Sequence, residues 1–597
     1  MTRPVWIVDR IRWMSACAAA TTLALAISIV FLTGHGQLPT LQLGPSAGGT
    51  TLPAPAGSGS SLDPRIAGIA SRHPDQLVET IVQFKSGVAP ARARQDVARV
   101  RGDVFGELQI INALAVRLTA VRAQQLAASP DVHAVSLNTR VTPQGGPGGP
   151  GGPDGGPGGG GPGDPGGRGD GHGGPGGPGG GGPGGPGRPG ASSPQNTYDQ
   201  TLDAPALWRD GINGAGVGVA VIDTGIDGNL PDFENSSGAS RVVATAVTNP
   251  DATTVMDTYG HGTDVAGLVA GDGNNLSPSN PLKGDYVGVA PGANLISIKA
   301  SDDKGDATVL NVIYGIQFAV DHRADYNIRV LNLSLDSTTP QSYKTDPLDA
   351  AVESAWMHGI VVVVAAGNRG SIPGAVDYAP ANDPYVITVG AVDENGSANP
   401  LDDTIASWSS QGTTQDGFQK PDVYAPGAHI VSVLAPGSTF ARTCPTCLID
   451  NEYIRTSGTS MATPMISGLA ALLLQAHPDW TPNQVKGALM SSAAASNPST
   501  KEVDAAKALA LGSPAPADGG LTPNSLLNPS TGDIDYSQSS WSQSSWSQAG
   551  GALAAAFAQS SWSCTCGASG TSSVGPSTSS WSTSSWSTYF DRTSSGS

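Results

Sequence analysis

Residues 143–194 are almost entirely glycine and proline. A stretch with so few side chains has nothing to bury, so whatever folds in this chain must fold on either side of it. Collagen needs Gly at every third position. Gly146, Gly149 and Gly152 keep that frame, but Asp164 and Arg188 break it. The tract, bounded as 143–196, therefore reads as a flexible linker with short extended stretches. Its Arg168-Gly169-Asp170 tripeptide is a chance match in so Gly-rich a segment.

The 597 residues exceed one ordinary domain, and 80 Gly and 47 Pro point to low-complexity segments beside a globular part. The net charge of −18 argues against nucleic acid or an anionic membrane surface as the main partner.

At the N-terminus, Arg3, Arg10 and Arg12 precede an apolar run from Trp13 to Leu32, closed by Gly34, His35 and Gly36. Residues 1–36 read as a signal peptide or a signal anchor in the membrane, since the run approaches the ~20 residues that span a bilayer. The chain is expected to be secreted or held at the cell surface. Residues 37–62, rich in Pro, Gly and Ser, read as a linker.

Residues 63–142 have the pattern of a small α+β unit. Val78–Phe84, Ala113–Leu118 and Val132–Leu137 look like strands, and 90–101 and Val121–Ala128 like helices. A strand–helix–strand–strand–helix–strand order in about 75 residues suggests a ferredoxin-like sandwich. In 197–511, strand-like runs such as Val217–Ile222, Leu295–Ile298, Ile328–Leu335 and Ile360–Ala365 alternate with helix-like runs such as Val309–Val320 and Leu348–Met357. That alternation implies an α/β fold, a parallel sheet with helices on both faces. Residues 512–597 lapse into Pro, Ala, Gly and Ser, with Ser-Ser-Trp-Ser repeats at Trp541, Trp546, Trp562, Trp581 and Trp586, and read as a low-complexity tail.

Besides Cys17, the cysteines form two tight pairs, Cys444/Cys447 and Cys564/Cys566. Local disulfides suit an exported chain, and the separation of the pairs argues against zinc.

Three segments carry chemistry. Gly218-Val219-Ala220-Val221-Ile222-Asp223-Thr224-Gly225 sets a carboxylate at the end of a buried strand, where open parallel sheets place their functional groups. His261-Gly262-Thr263-Asp264 opens a helix with an imidazole, and Gly458-Thr459-Ser460-Met461-Ala462-Thr463-Pro464 opens another with a hydroxyl, Pro464 being taken to fall in the first turn. A hydroxyl becomes a nucleophile when a base takes its proton, and a buried carboxylate orients that base. A fourth segment, Val361-Val362-Val363-Val364-Ala365-Ala366-Gly367-Asn368, is a buried strand ending in an amide.

Together these motifs resemble the subtilase family of serine peptidases over about 315 residues. The resemblance implies a subtilisin-like sheet and a secreted endopeptidase. Asp223, His261 and Ser460 would be the catalytic triad and Asn368 an oxyanion donor. Asn332-Leu333-Ser334-Leu335 is similar to the family's substrate-binding strand, so Ser334 and Leu335 would hold the peptide; Asp336 stands where the family has Gly, and Asp264 where it often has a second His. The chemistry requires no cofactor. The family often binds structural calcium, but no ligand set stands out, and no metal site is assigned. Residues 63–142 resemble the family's inhibitory propeptide, which implies an autoprocessed zymogen whose partners are protein or peptide substrates and its own propeptide. A monomer is expected. The alternative is a surface display or adhesion module that keeps the peptidase core as a scaffold or for self-processing, motivated by the Trp-Ser tail and the linker.

Overall fold

Every residue of the strands Gly218–Asp223 and Val361–Ala365 is buried. A strand can hide both its faces only inside a covered sheet, and Val, Ile and Ala fill these strands accordingly. The computed structural model describes residues 61–146, 196–512 and 514–524. The targeting segment, most of both linkers, the Trp-Ser repeats, the Arg-Gly-Asp tripeptide and Cys564/Cys566 lie outside the described residues.

The larger part, from residue 196 onward, is an α/β structure around a sheet of eight described strands. Its order runs Thr404–Ile405, Ile387–Asp393, Val361–Ala365, Ile328–Leu333, Gly218–Asp223, Asn294–Lys299, Val242–Val247, with Val423–Pro426 also pairing Ile387–Asp393. All pairs are parallel except that of Thr404–Ile405. The helices His261–Ala270 and Thr459–Ala476 pack on each other, as do Val309–Asp321 and Pro347–Met357. Thr459–Ala476 is long and apolar enough to cross a bilayer, yet it is buried in this core.

Pro464 is the sixth residue of its helix rather than a member of the first turn. Its missing N–H leaves the Ser460 carbonyl without an i→i−4 donor. Ser334 Oγ, 126 residues away in sequence, donates to that carbonyl at 3.0 Å. A tertiary hydrogen bond thus repairs the local break.

The N-terminal unit is a five-stranded sheet in the order Ser61–Leu62, Val132–Leu137, Leu77–Phe84, Ala113–Thr119, Asp103–Leu108, antiparallel except for its first pair. Two elements escaped the sequence reading, Ser61–Leu62 and the helix Pro64–Arg72, while Asp103–Leu108 supplies the strand that the expected order left without bounds. The helix is announced by Asp63, whose side chain accepts from Arg65 N–H, with Pro64 at the first position.

Alternation decides what each face of this small sheet covers. Val82, Leu114 and Val116 join the unit's own core, while Ile81, Ala113 and Ala115 join the core of the larger part. Val309 N–H and Leu310 N–H, at the start of Val309–Asp321, donate to Thr139 O and Asn138 Oδ1. The N-terminal unit therefore caps a helix of the larger part, satisfying donors that a helix start leaves open. Gly106 sits at an irregularity in its strand, where an added Cβ would fall 2.2 Å from Tyr314 Oη on that helix.

Order extends past two expected boundaries. Pro143 closes the strand Arg140–Pro143, and Gly146 still pairs with Ser457. At the other end Asp518 accepts from Trp356 Nε1 and Lys486 Nζ, and Asn524 N–H donates to Glu353. Cys444 and Cys447 are disulfide-bonded.

Candidate active site

Asp223 ends its strand beside the start of His261–Ala270, and Gly262 makes that approach feasible: a Cβ there would lie 2.1 Å from Gly225 O and 3.2 Å from Asp223 Cβ. His261 Nδ1 is 2.7 Å from Asp223 Oδ1, with His261 fully buried and Asp223 nearly so. A carboxylate only accepts, so Nδ1 carries the proton and Nε2 is the basic atom. Burial works against the charged imidazolium. The Asp223 charge and hydrogen bond, backed by Asp264 and Asp257, outweigh it and raise His261 above its ordinary value. Asp264, three residues along the same helix, is fully buried; desolvation pushes its carboxyl up to about 8, although Thr456 Oγ1 donates to it.

Ser460 is the second residue of its helix, and the helix start aims its backbone N–H outward. Its Oγ donates to Ser334 O at 2.9 Å, and His261 Nε2 has no hydrogen-bond partner. The carboxylate–imidazole link is made; the imidazole–hydroxyl link is not, and Ser460 Oγ must turn away from Ser334 O before the imidazole can take its proton. Asn368 Oδ1 accepts from Thr459 N–H at 3.0 Å and from Thr459 Oγ1 at 3.1 Å. That anchors the amide by its oxygen and leaves Nδ2 as the end free to donate.

The cleft beside Ser460 is filled by the chain itself. Arg140–Pro143 pairs antiparallel with Leu335–Ser337 on one side and with Ala307–Thr308 on the other. Gln144 N–H donates to Ser334 O at 3.1 Å, and Gln144 O accepts from Ser460 N–H at 2.9 Å. Leu335 pairs with Pro143. Ser334 and Leu335 thus lie along the extended segment 140–144, and the Gln144 carbonyl accepts from the Ser460 N–H at the helix start. This pairing was hidden in the sequence, because residues 143–146 look like the start of the Gly/Pro tract. Asp336 is fully buried and ion-paired with Arg369, a partner the sequence reading did not name. Burial raises the Asp336 carboxyl while the Arg369 charge opposes the rise.

Among the described residues no group of three or more His, Cys, Asp or Glu side chains is arranged to hold a metal ion.

Comparison with known proteins agrees with this architecture. Fervidolysin from Fervidobacterium pennivorans, a keratinolytic enzyme related to subtilisin, superimposes with a TM-score of 0.50 over 73% of this chain and 61% of its own, at 23% identity. The fold is thus that of the subtilisin-related α/β proteins. Residues 214–512 match the model of the subtilase family, and the chain belongs to that family. Serine protease AprX of Bacillus subtilis is 40% identical over 298 residues, covering 49% of this chain and 64% of AprX. Subtilisin of Bacillus pumilus is 40% identical over 294 residues, covering 49% of this chain and 89% of that protein. The chain therefore spans just under two thirds of the length of AprX.

Proposed function

We propose that this chain is an exported serine endopeptidase, made as a zymogen, that hydrolyses peptide bonds in proteins. Ser460 attacks the scissile carbonyl, His261 takes its proton and returns it to the leaving amine, and Asp223 orients His261 and balances its charge. Ser460 N–H and Asn368 Nδ2 stabilise the oxyanion. Water then releases the acyl group from Ser460. Residues 61–144 act as the propeptide.

The observation that carries this reading is the seating of Arg140–Gln144: an extended peptide bonded on both edges, with the Gln144 carbonyl on Ser460 N–H. Strand addition of this kind is how a peptide of any sequence is gripped by its backbone. Export is supported by the basic-then-apolar N-terminus and by the Cys444–Cys447 bond, which suits an oxidising compartment.

The test is Ser460→Ala in the full chain. The variant should accumulate as uncut precursor, hydrolyse no casein and take no label from a fluorophosphonate. Wild-type-like cleavage by the variant would overturn the assignment.

A further inference from the structure

We infer that this cleft reads a glutamine carboxamide before the scissile bond and a glycine after it, that Asp336 is the residue that reads the amide, and that the Gln144–Gly145 bond is the enzyme's first substrate. This rests on the peptidase reading above and specifies the substrate class of that same site.

The argument starts from the Gln144 side chain, which is almost wholly buried. Its Nε2 donates to Asp336 Oδ1 at 2.6 Å and also reaches Thr142 O and Thr142 Oγ1. Its Oε1 accepts from Asn368 N–H at 3.2 Å. The orientation is forced: flipped, the amide would set oxygen against the Asp336 carboxylate and NH₂ against an N–H. An acceptor at one end and a donor at the other match a carboxamide.

Asp336 is held for this task. Arg369 pairs with its other oxygen and lies over the Tyr378 ring, with the guanidinium carbon 3.7 Å from the ring centroid. The Arg369 guanidinium opposes the rise that burial imposes on the Asp336 carboxyl, and by occupying one oxygen it leaves Oδ1 to accept from the substrate amide. A glutamate before the cut would set a carboxylate oxygen against Asp336 Oδ1 in place of that NH₂. A lysine would meet the acceptor but press its other protons on Asn368 N–H, and a methionine would leave Asp336 Oδ1 with only the longer hydrogen bond from Thr142 Oγ1, at 3.4 Å. Sites built around a substrate hydrogen bond reject analogues lacking it strongly, because buried polar groups are left unpaired.

The residue after the cut is constrained by shape. A Cβ on Gly145 would lie 2.9 Å from Met461 Sδ, 3.0 Å from Ser457 O and 3.2 Å from Ser460 Cβ. From the facing side, a Cβ on Gly458 would lie 2.3 Å from Gln144 O, so Gly458 must be glycine, while a Cβ at residue 145 would displace Met461 Sδ and press on the Ser457 carbonyl. Gly146 then exchanges both backbone hydrogen bonds with Ser457, at 3.2 and 3.3 Å. The chain is gripped on both sides of Gln144–Gly145, which identifies that bond as the one cut. Ser460 Oγ adds to the Gln144 carbonyl carbon, the C–N bond to Gly145 breaks, and the amine leaves with the proton His261 received. Water splits the ester, leaving a carboxylate on Gln144 and a new amino terminus at Gly145.

The experiment uses the full chain matured on its own, with active sites counted by fluorophosphonate labelling. Internally quenched peptides Val-Thr-Pro-X-Gly-Gly, with X as Gln, Glu, Met or Lys, and a Gln peptide with Ala after it, are compared by kcat/KM. The Gln-Gly peptide should lead, with Glu lower by about 10²-fold or more, Met and Lys by roughly 10-fold or more, and the Ala peptide by about 10-fold. The amino terminus of the matured protein should be Gly145-Gly146-Pro147. Asp336→Asn, which keeps the shape and removes the charge, should shrink the Gln-over-Glu ratio at least about 10-fold. Glu within threefold of Gln, Met or Lys equal to Gln, or a mature terminus elsewhere would overturn the inference in an enzyme that still labels. Absence of labelling and of all cleavage would instead overturn the peptidase reading and this inference with it.

Discussion

Replacing Asp223 by Asn removes one charge and keeps the shape. His261 Nδ1 and Asp223 Oδ1 are 2.7 Å apart, in a pair almost sealed from water. With charge centres about 4 Å apart and an effective dielectric constant of about 20, the imidazolium formed during attack loses about 4 kcal/mol of stabilisation. That alone is about 10³-fold in rate. Asn adds a second penalty, because its NH₂ end can donate to Nδ1 and move the ring proton to Nε2, the atom that must accept from Ser460. The combined loss is about 10⁴-fold in kcat. The assay is conversion of the full-length precursor, followed by intact mass, beside fluorophosphonate labelling as an independent count of nucleophile reactivity. Thermal melting of Asp223→Asn and Ser460→Ala, both uncut, checks that the fold persists. A loss smaller than about 10-fold in a folded protein would refute the reasoning, since no other group among the described residues bonds the His261 ring nitrogens.

Two further outcomes follow from the same geometry. His261 must be neutral to accept a proton, and its value is raised, so activity should switch on above the ordinary imidazole value of about 6.5. An acid limb of the kcat/KM profile at or below 6.5 would count against the Asp223–His261 coupling. Gly106→Val forces a side chain into the Tyr314 hydroxyl, and overpacking of this kind costs about 1–3 kcal/mol. The cleaved N-terminal fragment should then inhibit the mature enzyme roughly 10- to 100-fold more weakly, measured as an inhibition constant, and an unchanged constant would show that this contact does not hold the two parts together.

Much of the fold is visible along the chain because it depends on short-range chemistry. Val361–Ala365 and residues 219–222 are unbroken apolar runs; Asp223 closes the second and Asn368 follows the first by three residues. A glycine stands at each helix start, Gly260 at φ +107° directly before His261 and Gly458 at φ +151° two residues before Ser460, a backbone that side chains resist. Such signals occupy a few neighbouring residues and survive without knowledge of the rest. The helix Pro64–Arg72 was equally local and was missed because its Asp-Pro start lies just past a Pro-rich stretch.

The amino-acid sequence by itself determined the layered α/β plan, the separation of the chain by its Gly/Pro tract, and the three chemical groups that the strand and helix ends present. Only the tertiary structure decided what those groups face. Ser334 repairs the helix gap at Pro464, Arg369 holds Asp336 from 33 residues away, and Gln144 reaches Ser460 across a separation that nothing in its own Gly-rich surroundings announces. The physical reason is one of range. Periodicity, caps and turns are decided among neighbours, whereas a hydrogen bond between residues hundreds apart exists only once the sheet has brought them to one edge.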